Sequence, residues 1–288
     1  MSAAVETTFR PGGPFSLADS AGHGDLTRSM RRGVLGLAYE AGGAPAHAQV
    51  WQRRDGSLGA RVAADQPEAA VERLRFLLAL DADHAPFLEL ARRDPLLRDV
   101  VGARPGLRPL RLGTVAHALL TALAGQLVTW REARGIERRI MRRVCRPHGE
   151  LLLPPTGADL AALSPAQATG AGLAPRRAAA LVRITRELDL ERLHRVPSAT
   201  VAARVERERM LGPWSAGVIC VYGLGRHDRG LVGDLGLIRL CRELLGRRAE
   251  AEDTARLLER YGPWQGLASV HLLAHPLARR RAGIPAAA

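Results

Sequence analysis

From about residue 84 to residue 275, apolar residues recur at three- and four-residue intervals almost without a break. No other feature of the chain constrains its fold as strongly. HAPFLELARRDPLLRDVV, TVAHALLTALAGQLVTWREARGIERRIMRRVC, SPAQATGAGLAPRRAAALVRITREL, ATVAARVERERM, PWSAGVICVYGL, DLGLIRLCRELL and AEDTARLLERYG each carry such a stripe, punctuated by Gly and Pro. Amphipathic helices in this number can hide their stripes only against one another, so the segment is expected to form a mainly helical body. LRPLRLGT (107–114) and PHGELLLPPTGADL (147–160) read as connections within it.

The first 82 residues follow another pattern. FRPGGPFSLA (9–18) and RGVLGLAYEA (32–41) are apolar segments of strand length bounded by Gly and Pro. QVWQRRDGSLGARV (49–62) sets Asp55-Gly56 between two alternating runs, which is a hairpin signal. PEAAVERLRFLLAL (67–80) then switches to helical spacing, with Pro67 suited to a first turn. The expected fold class is therefore α+β: a small N-terminal α+β domain over 1–82, followed by a helical region over 83–288.

Aromatics are only 4% of the chain, so its cores must be built mainly from Leu, Ala and Val. The formal net charge of +13 points to a polyanionic partner. All 42 basic residues are arginine, so no side-chain amine can form a Schiff base. Cys145, Cys220 and Cys241 form no C-x-x-C pair, which excludes the usual zinc and iron–sulfur spacings and fits a reducing compartment. His271 and His275 stand four apart on a helical stripe without a third, acidic ligand, so no metal is expected. There is no basic-then-apolar leader pattern and no apolar run of about 18 residues, so the expected location is the cytoplasm.

The chemistry concentrates in ATVAARVERERM–LGPW–SAGVICVYGL, which reads as helix, tight turn, helix. Gly212 tolerates unusual backbone angles, and Pro213 suits a first helical position. Such a turn leaves backbone N–H groups exposed at a helix N-terminus, where a phosphate can sit without any side chain. Beyond it, GRHDRGLVGDLGLIRL (225–240) places one acid, Asp234, at the head of an apolar helix. An aspartate there is a preferred cap worth about 1 kcal/mol. A cap also fixes the direction of the carboxylate, so structural and catalytic roles are compatible.

Taken in order, these pieces resemble the helix-hairpin-helix superfamily of DNA glycosylases, and within it the 3-methyladenine DNA glycosylase II group. LALDADHAPFLELARRDPLL (78–97) is similar to that group's lead-in, and GLRPLRLGTVAHALLTALAGQLVT (106–129) to its first helix ending in Gly-Gln. GLAPRRAAAL (172–181) resembles the helix that follows, GPWSAG the hairpin exit, and 225–240 the segment bearing the catalytic aspartate. The match runs from about residue 78 to 275. It implies a two-lobed helical domain with the hairpin at about 200–223, the catalytic loop at about 225–236, and a DNA cleft between the lobes.

The resemblance also implies roles. Asp234 would be the catalytic carboxylate. Trp214, Gln126, Val218 and Leu273 would fall at the base pocket. Leu127 would be the wedge pushed into the base stack, and Met210, Leu211, Gly212 and Ser215 would meet DNA at the hairpin. In lyase members of the superfamily, a lysine that attacks the sugar occupies the position of Trp214, so water is the expected nucleophile here. The implied activity is monofunctional hydrolysis of a flipped-out damaged, alkylated purine. The implied partner is double-stranded DNA with a damaged base, bound by a monomer. No cofactor is expected, a monovalent cation at the hairpin being the one candidate. Arg134, Arg138, Arg139, Arg142 and Arg143 form either a phosphate-facing stripe or a solvated face, the latter being the default.

Three departures set this chain apart. Met210 replaces the first glycine of the hairpin, Gly230-Leu231 replaces an aromatic-Pro pair, and Leu273 and Val218 stand where a pocket tryptophan and tyrosine are expected. They keep open a non-enzymatic DNA-binding protein that retains the fold, and a basic helical transcription regulator.

Overall fold

The computed structural model describes residues 3–22 and 24–279; the GIPAAA tail lies outside the described residues. Five strands open the fold: β1 (Ala3–Phe9), β2 (Arg28–Arg31), β3 (Val34–Ala41), β4 (Ala44–Gln52) and β5 (Leu58–Ala64). They form one antiparallel sheet in the order β1-β5-β4-β3-β2. Two-residue turns join β2 to β3 and β3 to β4. Gly42 and Gly43, both with positive φ, link β3 to β4 in the pairing Ala41↔Ala44. The Asp55-Gly56 signal marks a five-residue loop, in which the Asp55 carboxylate accepts from the Ser57 N–H (3.0 Å) and hydroxyl (2.7 Å). Helix Pro67–Leu77 then covers the sheet, burying Ala70, Leu74 and Leu77 against Tyr39, Val50, Leu58 and Val62.

The expected strand at 9–18 is not formed. The first strand lies earlier, at Ala3–Phe9, and Leu17–Ala21 is a short helix capped by Ser16, whose Oγ accepts from Asp19 N at 3.2 Å. The strand is fixed by its ladder with β5, which pairs residues as distant as Ala3 and Ala64, and short-range apolar patterning carries no record of such pairing. The connection at 147–160 likewise contains a two-strand pairing (Pro147–His148 with Leu151–Leu152) and helix Gly157–Ala161.

The remaining residues build two helical cores. The first gathers side chains from helices Val115–Gly125, Trp130–Val144, Pro175–Glu187, Ser198–Glu206 and the hairpin exit. The second gathers Phe87, Leu88 and Ala91 from helix Ala85–Arg93 with side chains from helices Leu235–Leu245, Ala251–Glu259 and Gln265–Leu272. The chain starts the second lobe, leaves to make the first, and returns through 225–234. Where it crosses back, Tyr222 packs against both cores and Trp214 against the second. No helix among the described residues is long and apolar enough to span a membrane.

Candidate active site at the hairpin mouth

Two turns meet beside the crossing. In the hairpin, Leu211 N donates to Glu208 O (3.0 Å), and helix Pro213–Val218 begins after Gly212. Met210 adopts φ +79, the left-handed conformation natural to the glycine it replaces. The hairpin thus keeps its turn at the cost of backbone strain. The second turn follows helix Val115–Gly125. Gln126 leaves helical geometry, and Leu127 takes φ +55 with its side chain 83% exposed.

Gln126 ties the two turns together. Its Nε2 donates to Met210 O (2.7 Å) and Ser215 Oγ (3.2 Å), while its own carbonyl accepts from Arg177 Nη1 (2.6 Å). The amide therefore acts as a strut. Ser215 is sealed in the same network at 1% exposure and Leu211 is buried too, so neither of these expected DNA-contacting residues reaches the surface. The next helix starts with a capping box in which Thr129 and Glu132 satisfy each other's backbone N–H.

Asp234 stands across from the hairpin as the N-cap of helix Leu235–Leu245. One carboxylate oxygen, Oδ1, accepts from Gly236 N at 2.7 Å; the other, Oδ2, accepts from the Trp214 indole N–H at 3.0 Å. The side chain is half-buried, and both oxygens are held in fixed directions. Small residues permit this approach. A Cβ on Gly125 would come within 2.8 Å of the Trp214 ring, one on Gly217 would collide with the Gly230 carbonyl, and one on Gly236 would collide with Leu273. Where an aromatic-Pro pair was expected, the Gly230 carbonyl lies against Gly217 of the hairpin helix, and a Cβ on Gly230 itself would stand 2.6 Å from Leu258 Cδ1 and 3.1 Å from Ser269 Oγ. The loop is pinned further by Leu231 N donating to Ser269 Oγ (3.0 Å) and Gly233 N to Thr254 Oγ1 (2.7 Å).

Of the expected pocket residues, the structure brings Trp214 to the carboxylate and sets Leu273 beside Gly236. Val218 is 3% exposed and packs in the second core. One further side chain lies within electrostatic reach of the carboxylate without any motif to mark it, and two arginines lie within reach of that side chain. Tyr222 sits in a π-helical segment, Ile219–Leu224, that prolongs the hairpin helix. It lies within electrostatic reach of Asp234, Arg28 and Arg134. Burial and the Asp234 charge hold its phenol neutral, pushed up to about 12. Arg134 pairs with Glu137 (2.6 Å) and lies over the ring of Trp130, 5.7 Å from its centroid. Arg28, from the N-terminal sheet, has its Nε 3.5 Å from Asp25 Oδ2. Burial alone would raise the Asp25 carboxyl, but Arg28 and the Thr27 hydroxyl outweigh it and bring it down to about 2. Only a proportion of the arginine stripe is free: Arg138 Nη2 donates to Gly24 O and Arg139 Nε to Ala171 O, whereas Arg142 and Arg143 are exposed.

A surface cavity of about 600 Å³ lies elsewhere, lined by Arg10, Phe15, Asp19, Asp55 and Gly106 among others. Among the described residues no group of three or more His, Cys, Asp or Glu is placed to hold a metal ion.

No family model matches the chain. It is 33% identical over 221 residues, 72% of its length, to a Mycobacterium tuberculosis protein named "Probable bifunctional transcriptional activator/DNA repair enzyme AlkA". The match takes in 43% of that relative, so the chain spans less than half the length of this curated relative. It is 23% identical over 205 residues to a DNA-3-methyladenine glycosylase of Bacillus subtilis, covering 67% of each. Among solved structures, a 3-methyladenine DNA-glycosylase from Archaeoglobus fulgidus superposes with a TM-score of 0.80 at 18% identity, over 93% of this chain and 97% of that one. An 8-oxoguanine glycosylase/lyase of Clostridium acetobutylicum bound to duplex DNA gives 0.75 at 17% identity, over 94% and 96%. The chain has the fold of the helix-hairpin-helix DNA glycosylases and is a homologue of proteins named AlkA and DNA-3-methyladenine glycosylase.

Proposed function

We propose that this chain is a monofunctional DNA glycosylase that removes a damaged, alkylated purine from duplex DNA. The observation carrying the proposal is the Asp234 carboxylate, half-open at the hairpin mouth and held by the Trp214 indole and the Gly236 amide. In the proposed reaction the hairpin amides hold the DNA backbone and Leu127 fills the gap left by a nucleotide turned out of the stack. As the N-glycosidic bond breaks, positive charge develops on the sugar, and the fixed carboxylate stabilises it without having to reorganise. Water adds at C1′, its proton is lost to the carboxylate or to solvent, and the base departs. A purine methylated at N3 or N7 is already cationic and leaves without a strong general acid, so one acid suffices. With no lysine in the chain, and Trp214 at the hairpin position, the product is an abasic site in an intact strand.

A unit charge about 4 Å from the carboxylate, at an effective dielectric of about 20, is stabilised by about 4 kcal/mol. Asp234→Asn should therefore slow single-turnover base release by about a thousandfold. The assay uses methylated duplex, free-base chromatography, and strand scission scored before and after hot alkali. Release by the wild type, scission only after alkali, and loss of release in the variant are the expected results. A wild type that frees no base leaves a DNA-binding protein, and scission before alkali overturns the monofunctional mechanism.

A further inference from the structure

We propose that Trp130 is a stacking platform for the orphan base, the one left without a partner when the nucleotide opposite it is turned out of the duplex. The proposal rests on the glycosylase reading, because it needs DNA opened at the hairpin mouth, and it assigns a contact to the strand opposite the damage.

Exposure sets Trp130 apart. It is 55% exposed and is the only exposed aromatic among the described residues, whereas Trp51, Trp214 and Trp264 are each at least partly buried. An indole left in water forgoes the burial that stabilises large apolar side chains. Trp130 stands three residues after Leu127, which is 83% exposed. Three residues of chain span at most about 11 Å, so the two are neighbours on the surface.

The mount of this pair is rigid. Before Leu127, the Gln126 carbonyl accepts from Arg177 Nη1 at 2.6 Å. After it, Thr129 N donates to Glu132 Oε2 at 2.8 Å and Glu132 N donates to Thr129 Oγ1 at 3.3 Å, which fixes the first turn of helix Trp130–Val144. Trp130 is the first residue of that helix, and the Arg134 guanidinium, one turn on, lies 5.7 Å from its ring centroid. Arg134 is itself mostly buried and bonded to Glu137 at 2.6 Å, so it supports the ring as a fixed group and not as a mobile surface charge. A ring held in this way loses little freedom on stacking.

Turning one nucleotide out of a duplex leaves a gap and an unpaired base. Leu127 can fill the gap, but an aliphatic side chain has no flat face to offer the base across from it. The indole has one. Stacking needs no particular hydrogen-bond pattern, since every base has a π face, so Trp130 would hold an orphan base of any identity.

The test measures binding of the full chain to duplexes carrying an abasic analogue, which need no turnover. One duplex has adenine opposite the analogue. Another has a second analogue there, so the orphan base is missing. On the adenine duplex Trp130→Ala should raise Kd at least about fivefold, the lower end of base–aromatic stacking, while Trp130→Phe, which keeps a flat face, should stay within about threefold of wild type. On the duplex without an orphan base, wild type and Trp130→Ala should agree within about twofold. An equal loss on both duplexes, no loss on the first, or a Phe variant as weak as Ala overturns the proposal. Equal urea midpoints for the three proteins check that the fold is intact. Base release from methylated duplex by the wild type separates the two readings. If base is freed but the loss does not depend on the orphan base, stacking alone fails. A wild type that frees no base and binds the abasic duplex no better than an intact one ends the glycosylase reading, and the stacking proposal falls with it.

Discussion

Met210 is the one hairpin residue whose backbone contradicts its side chain, and the contradiction can be measured. At φ +79 an L-residue brings its Cβ against the neighbouring carbonyl, at a cost of about 1–2 kcal/mol. Replacing Met210 by Gly removes that strain but also removes a side chain packed against the first helical core. The Gly variant alone would mix the two effects. Comparing Met210→Gly with Met210→Ala separates them, because both lose the same packing and only Ala keeps the Cβ. Gly gives back about 0.5–1 kcal/mol through its freer unfolded chain. The Gly variant should therefore be more stable than the Ala variant by about 1 kcal/mol. For a chain of this size that is about 2–4 °C in melting temperature, or a resolvable shift of urea midpoint at constant slope. The turn also carries the carbonyl that accepts from Gln126 at 2.7 Å, so both variants should keep the turn and the strut. If Ala equals or exceeds Gly in stability, residue 210 is not left-handed in solution, and the account of the hairpin fails with it.

Two further outcomes follow from the same coordinates. Leu127→Ala should leave the urea midpoint within about 0.5 kcal/mol of wild type, since the side chain is 83% exposed, yet should slow base release at least tenfold if Leu127 fills the vacated stack; unaffected release would remove the wedge from the mechanism. A pH series tests the buried histidines. Burial, chiefly, lowers His84 to about 2 and His227 and His271 to about 4, and the rings of His84 and His227 lie 5.1 Å apart. In each case the unfolded chain takes up a proton near pH 6.5 that the native state refuses. Stability should thus be full above pH 6.5 and fall below it, by at most about 1.4 kcal/mol per pH unit for each histidine, until the native pKa is reached. Equal denaturant midpoints at pH 7 and pH 5 would show that these rings are not held neutral.

What the sequence disclosed followed from local signals. Helix Pro67–Leu77, the Asp55-Gly56 loop and the cap at Asp234 each arise from a few neighbouring residues, and those are where chain and structure agree. Disagreement arises where distant segments decide. β1 sits at Ala3–Phe9 because β5 offers it a ladder, and no periodicity in 9–18 could reveal that. Val218 is buried in the second core, and Tyr222 follows in a π-helical segment that a 3.6-residue count does not anticipate. Arg28, from the N-terminal sheet, comes within electrostatic reach of Tyr222 by tertiary packing alone. Tyr222 did carry one local hint, as the only side chain with a polar end between Cys220 and Arg226 in an otherwise apolar stretch.

The placement of Asp234 joins these observations into one physical device. An aspartate capping a helix is held only at its own end, by a bond from the first turn; here that is Gly236. The second bond comes from Trp214 at the hairpin exit, whose indole packs against the same second core as the helix that Asp234 caps. Trp214 can reach it only because Gly125 leaves room for the indole, and Gly125 precedes the turn that exposes Leu127. The proposed wedge, the hairpin and the carboxylate are thus linked through contacts of about 3 Å: Leu127 adjoins Gln126, Gln126 holds Met210 and Ser215, and Trp214 holds Asp234. A duplex that engages the hairpin and the wedge together presses on both ends of this chain of contacts. The direction of the carboxylate is then tied to the parts that would bend and open the DNA.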